Sequence, residues 1–332
     1  MPEFRYNVIT GDWVILATDR AKRPEDFSRA PEKQKVPTWN AMCPFCPGNE
    51  IHTPIEHLRL TEGTAPWLLR SVPNKFSVLT SEGEISHGCE GLKRHMSGVG
   101  LHEVLIETPE HHLTTALLPL KQVERILLAY KLRFLAFYED PRIEHVILFK
   151  NHGFDAGTSL EHPHSQIVGT PVIPGQVRTR IDEAKRFYET HGECLYCQTL
   201  HEEQQEGARL VAENYSFVAF IPYAALSPFH LWIFPRQHQS CFGSLTEDAL
   251  VDLAQILKEI LLKLYISLEN PSFNYVIRSL PPKEGAVRHF HWYLAIVPRL
   301  SKAAGFEMGT GMYINTALPE KNAKFLKDFQ IP

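Results

Sequence analysis

One pattern of cysteines, strands and histidines occurs twice in this chain and restricts the fold more than any other feature. In each copy a Cys-x-x-Cys pair precedes an apolar strand that ends in a proline and a histidine, and a second histidine follows at the start of a later strand. The later gap is nearly equal in the two copies, whereas the earlier gap is longer in the first, which indicates an insertion. Such repetition predicts an internal duplication. The two sets are Cys43, Cys46, His111 and His162, and Cys194, Cys197, His238 and His291.

Each set has the composition of a structural zinc site. Two thiolates and two imidazoles complete a closed tetrahedral shell. In a reducing compartment, paired cysteines are more often metal ligands or redox sites than disulfides. In CPFCPGNE, prolines flank the second cysteine and a glycine follows, which favours a zinc-knuckle turn over the helix start of a thioredoxin-like motif. We therefore predict two structural zinc ions per chain.

Three of the predicted ligands have competing interpretations. His112 is adjacent to His111 and competes with it as the explanation of this histidine position. His238 also fits an ordinary loop residue. His289 lies two positions before His291, on the same face of a predicted strand, and is an alternative ligand of the second site.

Hydrophobic periodicity agrees with the duplication. Each half contains a long stretch with apolar residues at helical spacing, LKQVERILLAYKLRFLAFYED and TEDALVDLAQILKEILLKLYISLE, and Thr246 is placed to cap the second. Strands are predicted on both sides of each helix, at 101–107 and 145–150, then at 209–213, 217–221 and 230–235, and in NYVIRS and HWYLAIVP. The predicted fold class is α+β, with two histidine-triad-like units that each combine an antiparallel sheet and one long helix.

The predicted domains are residues 1–185 and 186–332, and the charged helical stretch GQVRTRIDEAKRFYETHG joins them. The chain has 332 residues, of which 44% are hydrophobic and 22% charged, enough for two domains of roughly 150 residues.

A formal net charge of −4 gives no broad positive field, so we expect neither nucleic acid nor a membrane as partner. The start lacks a secretory signal, and no run of about 18 apolar residues occurs, which favours a cytoplasmic location.

The segment EHPHSQIVG carries the feature that indicates catalysis. Side chains alternate along a strand, so His162, His164 and Gln166 are expected on one face. A metal bound to His162 anchors the strand and leaves His164 free, and a neutral imidazole attacks phosphorus without a separate base. In the second copy Tyr293 and Ala295 take the places of His164 and Gln166. Only the first copy therefore carries the candidate nucleophile His164 together with Gln166.

The Cys-x-x-Cys, the Pro-Glu-His and above all HPHSQ resemble the galactose-1-phosphate uridylyltransferase family of the histidine-triad superfamily, and the resemblance runs from RAKRP to GFEMGTGMYIN. It implies that His164 takes a nucleotidyl group from a nucleoside diphosphate sugar and passes it to a second sugar phosphate in a ping-pong reaction. It also implies that Gln166 donates from its amide to a phosphoryl oxygen. Histidine-triad hydrolases carry a third histidine there, so an amide favours transfer over hydrolysis.

The resemblance further implies substrate-binding residues in four segments. DRAKRP resembles a basic phosphate-binding segment of the family, and SVPNKF resembles a segment that lies along the nucleotide. FKNHGFDAGTSLEHPH resembles the segment before the active strand that contacts the phosphates or sugar. GFEMG resembles an aromatic-acidic pair that contacts the hexose across a dimer interface. The arginines also fit solvated loop residues, and the glycine-rich segment also fits a plain surface turn. The residues concerned are Arg20, Arg23, Asn74, Asn151, Ser159, Phe306 and Glu307.

Two departures from the family pattern concern the substrate. Ser165 stands where the best-known bacterial members carry glycine, and the second metal set has a Cys-x-x-Cys where theirs has a glutamate and histidines. Both features are similar to a divergent branch with an ADP-glucose phosphorylase, in which AMP passes to phosphate. We predict uridylyl transfer between hexose 1-phosphates by a homodimer, with the phosphorylase as the alternative. A zinc-stapled nucleotide-binding protein without activity and a histidine-triad hydrolase are further alternatives.

Overall fold

The computed structural model describes residues 1–17, 27, 36–63, 67–282 and 287–331, so the predicted phosphate-binding residues Arg20 and Arg23 lie outside the described residues. In these ranges the strands are β1 (Glu3–Asn7), β2 (Asp12–Leu16), β3 (Leu58–Leu60), β4 (Leu69–Pro73), β5 (His87–Glu90), β6 (Lys93–Met96), β7 (Leu101–Ile106), β8 (His145–His152), β9 (His164–Thr170), β10 (Leu210–Glu213), β11 (Phe217–Phe220), β12 (Leu231–Pro235), β13 (Phe273–Arg278), β14 (Tyr293–Pro298) and β15 (Tyr313–Asn315). The α-helices are α1 (Leu120–Phe137), α2 (Gly175–His191), α3 (Leu195–Glu206), α4 (Glu247–Ser267), α5 (Gly305–Thr310) and α6 (Pro319–Asp328).

The main sheet is built from two halves with the same strand order. From the centre outward, the first half runs β8-β9-β7-β4-β3 and the second runs β13-β14-β12-β11-β10. The halves join where β8 and β13 pair antiparallel, with Phe149 opposite Val276. Since β8 follows α1 and β13 follows α4, equivalent strands meet at the centre. The α+β class and the internal duplication are therefore confirmed.

The insertion in the first half is a separate hairpin. Strands β5 and β6 pair with each other between β4 and β7, and no described strand lies between β11 and β12. The hairpin explains why the first Cys-x-x-Cys is farther from its first histidine than the second. Strands β1, β2 and β15 form a small sheet of their own, in which β2 pairs with both ends of the chain.

Both long helices cover one face of the main sheet. On α1 the buried residues Val123, Ile126, Leu127 and Tyr130 recur at the spacing of an amphipathic helix, and they share one hydrophobic core with residues of α4. Full burial of each aliphatic side chain in this set stabilises the fold by about 1.5–3 kcal/mol. Helix α4 begins as predicted, since the Thr246 side chain accepts from the Ala249 N–H at 3.2 Å.

The opposite face of the sheet carries two smaller clusters that include the cysteines of both Cys-x-x-Cys pairs. Strands β9 and β14 begin two residues after His162 and His291, so these histidines precede their strands and do not open them as predicted. The predicted division at residue 185 falls inside α2, the helix that links the two halves, and remains a prediction. Among the described helices, none combines the length and apolar character that a membrane span requires.

Candidate active site and metal centres

His164 lies on β9, between β7 and β8 in the first half of the sheet. Its Nδ1 is 2.8 Å from the backbone carbonyl oxygen of His162. Because a carbonyl oxygen only accepts hydrogen bonds, the proton of neutral His164 sits on Nδ1 and the lone pair sits on Nε2. The ring of Phe45 makes an edge contact with His164 at a centroid distance of 5.5 Å. His164 is therefore held in one orientation and one tautomer.

Burial keeps the imidazole of His164 neutral. Only 7% of the residue is exposed. Burial lowers the pKa of His164 below its ordinary value, outweighing the hydrogen bond to the His162 carbonyl, which raises it. The unprotonated imidazole that results at neutral pH is the form whose Nε2 can attack phosphorus.

A cavity of about 780 Å³ opens beside His164, and two predicted substrate-binding residues, Asn151 and Ser159, line it. This volume lies within the range typical of small-molecule sites. Asn151 on β8 accepts a hydrogen bond through Oδ1 from Asn274 on β13 at 2.8 Å. A residue of the second half thus orients the Asn151 side chain. Since the Asn151 oxygen accepts from Asn274, its amide hydrogens remain as donors for a ligand.

Gln166 shares the face of β9 that carries His164, as the alternation predicts. It lies opposite Val104 on β7 and Phe149 on β8. Its Oε1 is 2.9 Å from Nε2 of His102, and Asn74 approaches the same nitrogen with its amide at 3.0 Å. The structure therefore brings Asn74 and Gln166 together through His102, a residue that the sequence analysis did not single out.

The other predicted residues are placed differently. Phe306 and Glu307 lie in α5, and, like Asn74 and Gln166, they do not line the cavity beside His164. Glu307 instead accepts from the Ala304 backbone N–H at 2.8 Å, an arrangement that caps the start of α5. Within the described residues of one chain, this pair and His164 do not form one site.

A buried polar network lies behind β9, on the face of the sheet opposite His164. Ser165 points to the helical face and donates to Glu107, which also pairs with Lys150 at 2.7 Å. Burial raises the pKa of Glu107, but the Lys150 ammonium holds it below the ordinary value. Lys150 also donates to the backbone carbonyl of His164 at 3.1 Å. The hydroxyls of Tyr130 and Tyr275 complete the network.

The network was missed by the sequence analysis, although a signal existed. Glu107 follows the apolar strand β7, and Lys150 interrupts the apolar run of β8. A charge within a buried strand requires a partner. Two such charges of opposite sign in neighbouring segments indicate a buried pair.

The first cysteine-histidine set converges to the spacing of a metal site. The ligand atoms of all four residues lie within 4.8 Å of one another, and all four residues are buried. The Sγ of Cys46 is 3.3 Å from His111 Nδ1 and 3.7 Å from His162 Nδ1. A tetrahedral zinc ion with bonds of about 2.3 Å to sulfur and about 2.0 Å to nitrogen separates its ligand atoms by roughly 3.3–3.8 Å. The donor set fits a metal ion of this kind.

The tautomer of His162 also fits metal binding. Its Nε2 donates to the Thr108 carbonyl at 2.7 Å, which leaves the Nδ1 lone pair directed at the thiols. Burial lowers the pKa of His162 to about 4, so the imidazole is neutral, as a ligand must be. The same residue accepts from His164 through its carbonyl, and the candidate metal site therefore lies two residues from His164 in the sequence and is joined to it by this hydrogen bond.

The second set is similar in spacing but more open. Cys197 Sγ is 3.3 Å from His238 Nδ1 and 3.5 Å from His291 Nδ1, and the four ligand atoms again lie within 4.8 Å of one another. The imidazole of His291 belongs to this group, whereas the alternative, His289, contributes its backbone carbonyl to Cys194. His238 is exposed, and Cys197 is half-buried. Two groups able to hold a metal ion are thus present, and they differ in access.

In the second half, the position equivalent to His164 is surrounded by aromatic side chains. Tyr293 opens β14 as His164 opens β9. Its ring lies 5.3 Å from Trp232, 5.1 Å from Phe234 and 5.8 Å from Tyr196, and it is buried. With Ala295 next on the same face, the second half has buried aromatic and methyl side chains at the positions where the first half has His164 and Gln166.

Two family models cover almost the whole chain. Residues 1–174 match the N-terminal domain of galactose-1-phosphate uridyl transferase, and residues 180–328 match its C-terminal domain. The chain belongs to the galactose-1-phosphate uridylyltransferase family. Membership supports nucleotidyl transfer as the reaction class, in agreement with the sequence analysis.

Relatives within this family include members of two activities. An ADP-glucose phosphorylase from Arabidopsis thaliana is 36% identical over 99% of this chain and 93% of its own length. A galactose-1-phosphate uridylyltransferase from Thermotoga maritima is 28% identical over 100% of this chain and 99% of its own. Among solved structures, the Arabidopsis ADP-glucose phosphorylase with bound ADP-glucose superimposes with a TM-score of 0.83 at 32% identity, over 100% of both chains. A uridylyltransferase structure gives 0.76 at 28% identity, covering 98% of this chain and 97% of that one.

Proposed function

We propose that this protein transfers a nucleotidyl group through a covalent intermediate on His164. The observation that carries the proposal is the hydrogen bond from His164 Nδ1 to the His162 carbonyl, which leaves the Nε2 lone pair as the nucleophile beside a cavity of ligand size. Family membership supports the same reaction class.

The first half-reaction conserves atoms and charge without a separate base. The Nε2 of His164 attacks the α-phosphorus of a nucleoside diphosphate sugar, and the bond from this phosphorus to the bridging oxygen breaks. The sugar 1-phosphate leaves with the bonding electrons. The positive charge that develops on the imidazole is stabilised by the Nδ1–H bond to the His162 carbonyl. In the second half-reaction an acceptor phosphate oxygen attacks the same phosphorus, and His164 leaves as a neutral imidazole.

Zinc is proposed as the resident ion of both cysteine-histidine groups. Cys43, Cys46, His111 and His162 would hold one ion, and Cys194, Cys197, His238 and His291 the other. With four protein ligands neither site keeps an open position, so the ion supplies rigidity and no chemistry. At the first site that rigidity fixes the His162 carbonyl, the group that sets the tautomer of His164.

The relatives favour ADP-glucose as donor and phosphate as acceptor. The Arabidopsis ADP-glucose phosphorylase has higher identity and a higher TM-score than the uridylyltransferases described above. We therefore place adenylyl transfer to phosphate first. Uridylyl transfer from UDP-glucose to galactose 1-phosphate is the second candidate, supported by the 28% identity over the whole chain.

The remaining substrate contacts are proposals from the family resemblance. Asn151 and Ser159 would contact the phosphates or sugar, Asn74 the nucleotide, and Arg20 and Arg23 the phosphates. Phe306 and Glu307 lie outside the cavity beside His164 in the same chain. Their proposed contact with the hexose therefore requires a homodimer in which one protomer supplies this pair to its partner's site.

The intact mass of the protein after incubation with ADP-glucose or UDP-glucose, without acceptor, tests the function. An adenylyl adduct that phosphate discharges as ADP supports the phosphorylase. A uridylyl adduct that galactose 1-phosphate discharges as UDP-galactose supports the uridylyltransferase. His164→Asn keeps an amide near the position of Nδ1 and removes the nucleophile, so it should give no adduct. An adduct that persists in this variant, or no adduct with either donor, overturns the proposal; steady release of free nucleoside monophosphate indicates a hydrolase.

A further inference from the structure

The hydrogen bonds of His102 cannot all form at the same time. Its Nε2 lies 2.9 Å from the Gln166 Oε1 and 3.0 Å from the Asn74 Nδ2. In a neutral imidazole this nitrogen carries either a proton or a lone pair. A proton satisfies the Gln166 oxygen, whereas a lone pair satisfies the Asn74 amide. The tautomer of His102 therefore determines which of the two neighbours is bound.

The orientation of Asn74 is set by its own backbone. Its Oδ1 accepts from the Phe76 N–H at 2.9 Å, so the amide nitrogen is the atom that faces His102. The backbone N–H of Asn74 also donates to the carbonyl of His102 at 2.8 Å, which holds the two residues side by side. Asn74 is half-buried and has two amide hydrogens, so it can use water or a ligand in place of His102.

Gln166 has fewer alternatives. Its only side-chain hydrogen bond to a described residue is the one to His102. His102 stands opposite Val168 on the β7–β9 ladder, so it lies on the far side of Gln166 from His164. Because the two amide atoms diverge from one carbon, an oxygen bound to His102 directs the amide nitrogen away from His102. A lone pair on His102 Nε2 would repel this oxygen and favour the flipped amide.

We propose that His102 is the positioning residue for Gln166, with its proton on Nε2, and that it presents the amide N–H groups of Gln166 to the phosphoryl oxygens. The inference deepens the proposed function and rests on it. A flipped Gln166 would direct its oxygen at the developing negative charge. Since the contact with phosphoryl oxygen strengthens in the transition state, loss of His102 lowers the rate of nucleotidyl transfer and leaves substrate binding nearly unchanged.

Three substitutions of His102 distinguish this role from a structural one. In His102→Gln the amide nitrogen can stand near the position of Nε2 and donate to Gln166, whereas in His102→Asn the shorter side chain places it near Nδ1. We expect His102→Asn and His102→Phe to lower kcat about 10–100-fold with KM little changed, less than the roughly 10²–10³-fold typical of outright removal of an oxyanion donor, because the Gln166 amide is displaced and not removed. His102→Gln should restore most of kcat. Equal losses in the Gln and Asn variants would contradict the proposal.

A double-mutant cycle with Gln166→Ala supplies the decisive comparison. If His102 acts through Gln166, then His102→Phe has little further effect once the Gln166 amide is gone. Independent, multiplicative losses overturn the inference. Single-turnover formation of the His164 adduct is the readout, and metal content and thermal unfolding of each variant show whether it folds. Absence of an adduct in the native protein refutes the proposed function itself, whereas a normal adduct with independent effects of His102 and Gln166 refutes only this inference.

Discussion

The carbonyl oxygen of His162 lies 2.8 Å from Nδ1 of His164, so the backbone of a candidate metal ligand holds the proton of the candidate nucleophile. The imidazole of His162 faces the thiols of the first metal group. Any change that releases this imidazole also frees the carbonyl to move. We therefore expect the tautomer of His164 to depend on the integrity of this candidate metal site, even though a metal ion there would not contact substrate.

The two metal sites should differ in their response to chelators. Every residue of the first group is buried, whereas His238 is exposed and Cys197 is half-buried in the second. We expect two zinc ions per chain, one released quickly and one slowly when a colorimetric chelator is added. Cys197→Ser should abolish the fast phase and leave the slow one. A single phase, or one ion per chain in protein purified without chelator, would contradict the assignment.

Replacing Gln166 by histidine should move the enzyme toward hydrolysis. A titratable imidazole beside the nucleotidyl-His164 intermediate can take a proton from an attacking water, which an amide cannot do. The ratio of free nucleoside monophosphate to transferred nucleotide should rise severalfold in Gln166→His. Gln166→Ala is the control, since it removes the amide without adding a base. An unchanged ratio in Gln166→His counts against the role assigned to this position.

Replacing one partner of the buried Glu107–Lys150 pair should lower the free energy of unfolding more than replacing both partners. Lys150→Met leaves the Glu107 carboxylate buried without its cation, and loss of one partner of such a pair typically costs about 3–5 kcal/mol of unfolding free energy. Combining Lys150→Met with Glu107→Gln should recover part of this loss, because the uncompensated charge is gone. Urea unfolding of the single and double variants measures the difference. Additive losses would show that the charges do not stabilise each other.

The stability contribution of Glu103 should depend on pH. Burial raises the pKa of Glu103, but hydrogen bonds from Arg133, Ser71 and His57 bring it below the ordinary value. Since the folded-state pKa is depressed, this stabilisation is complete above the unfolded pKa and is lost as pH falls through the folded one. The deficit of Glu103→Gln relative to the native chain should therefore be largest at neutral pH and shrink below the ordinary glutamate pKa. Unfolding at several pH values checks the sign; a deficit that grows on acidification refutes it.

The duplication, both ligand groups and the common face of His164 and Gln166 follow from spacing, because metal ligands and strand alternation leave regular patterns. The bond from His102 to Gln166 does not. It joins residues on neighbouring strands, and the register of β7 against β9 is decided by packing over the whole sheet. The position of Phe306 was equally out of reach, since it depends on how the end of the chain returns to pair with β2.

The antiparallel contact between β8 and β13 has a consequence for any attempt to study the halves alone. Each strand is the inner edge of its own half, and within the described residues its counterpart is the strand that pairs with this edge. A fragment that ends before α3 would keep the nucleophile and the first metal group but expose β8 as an open edge, a template for aggregation. It would also lose Asn274, which orients Asn151. The second half, which lacks counterparts of His164 and Gln166, thus protects the inner edge of the first half from pairing with other chains.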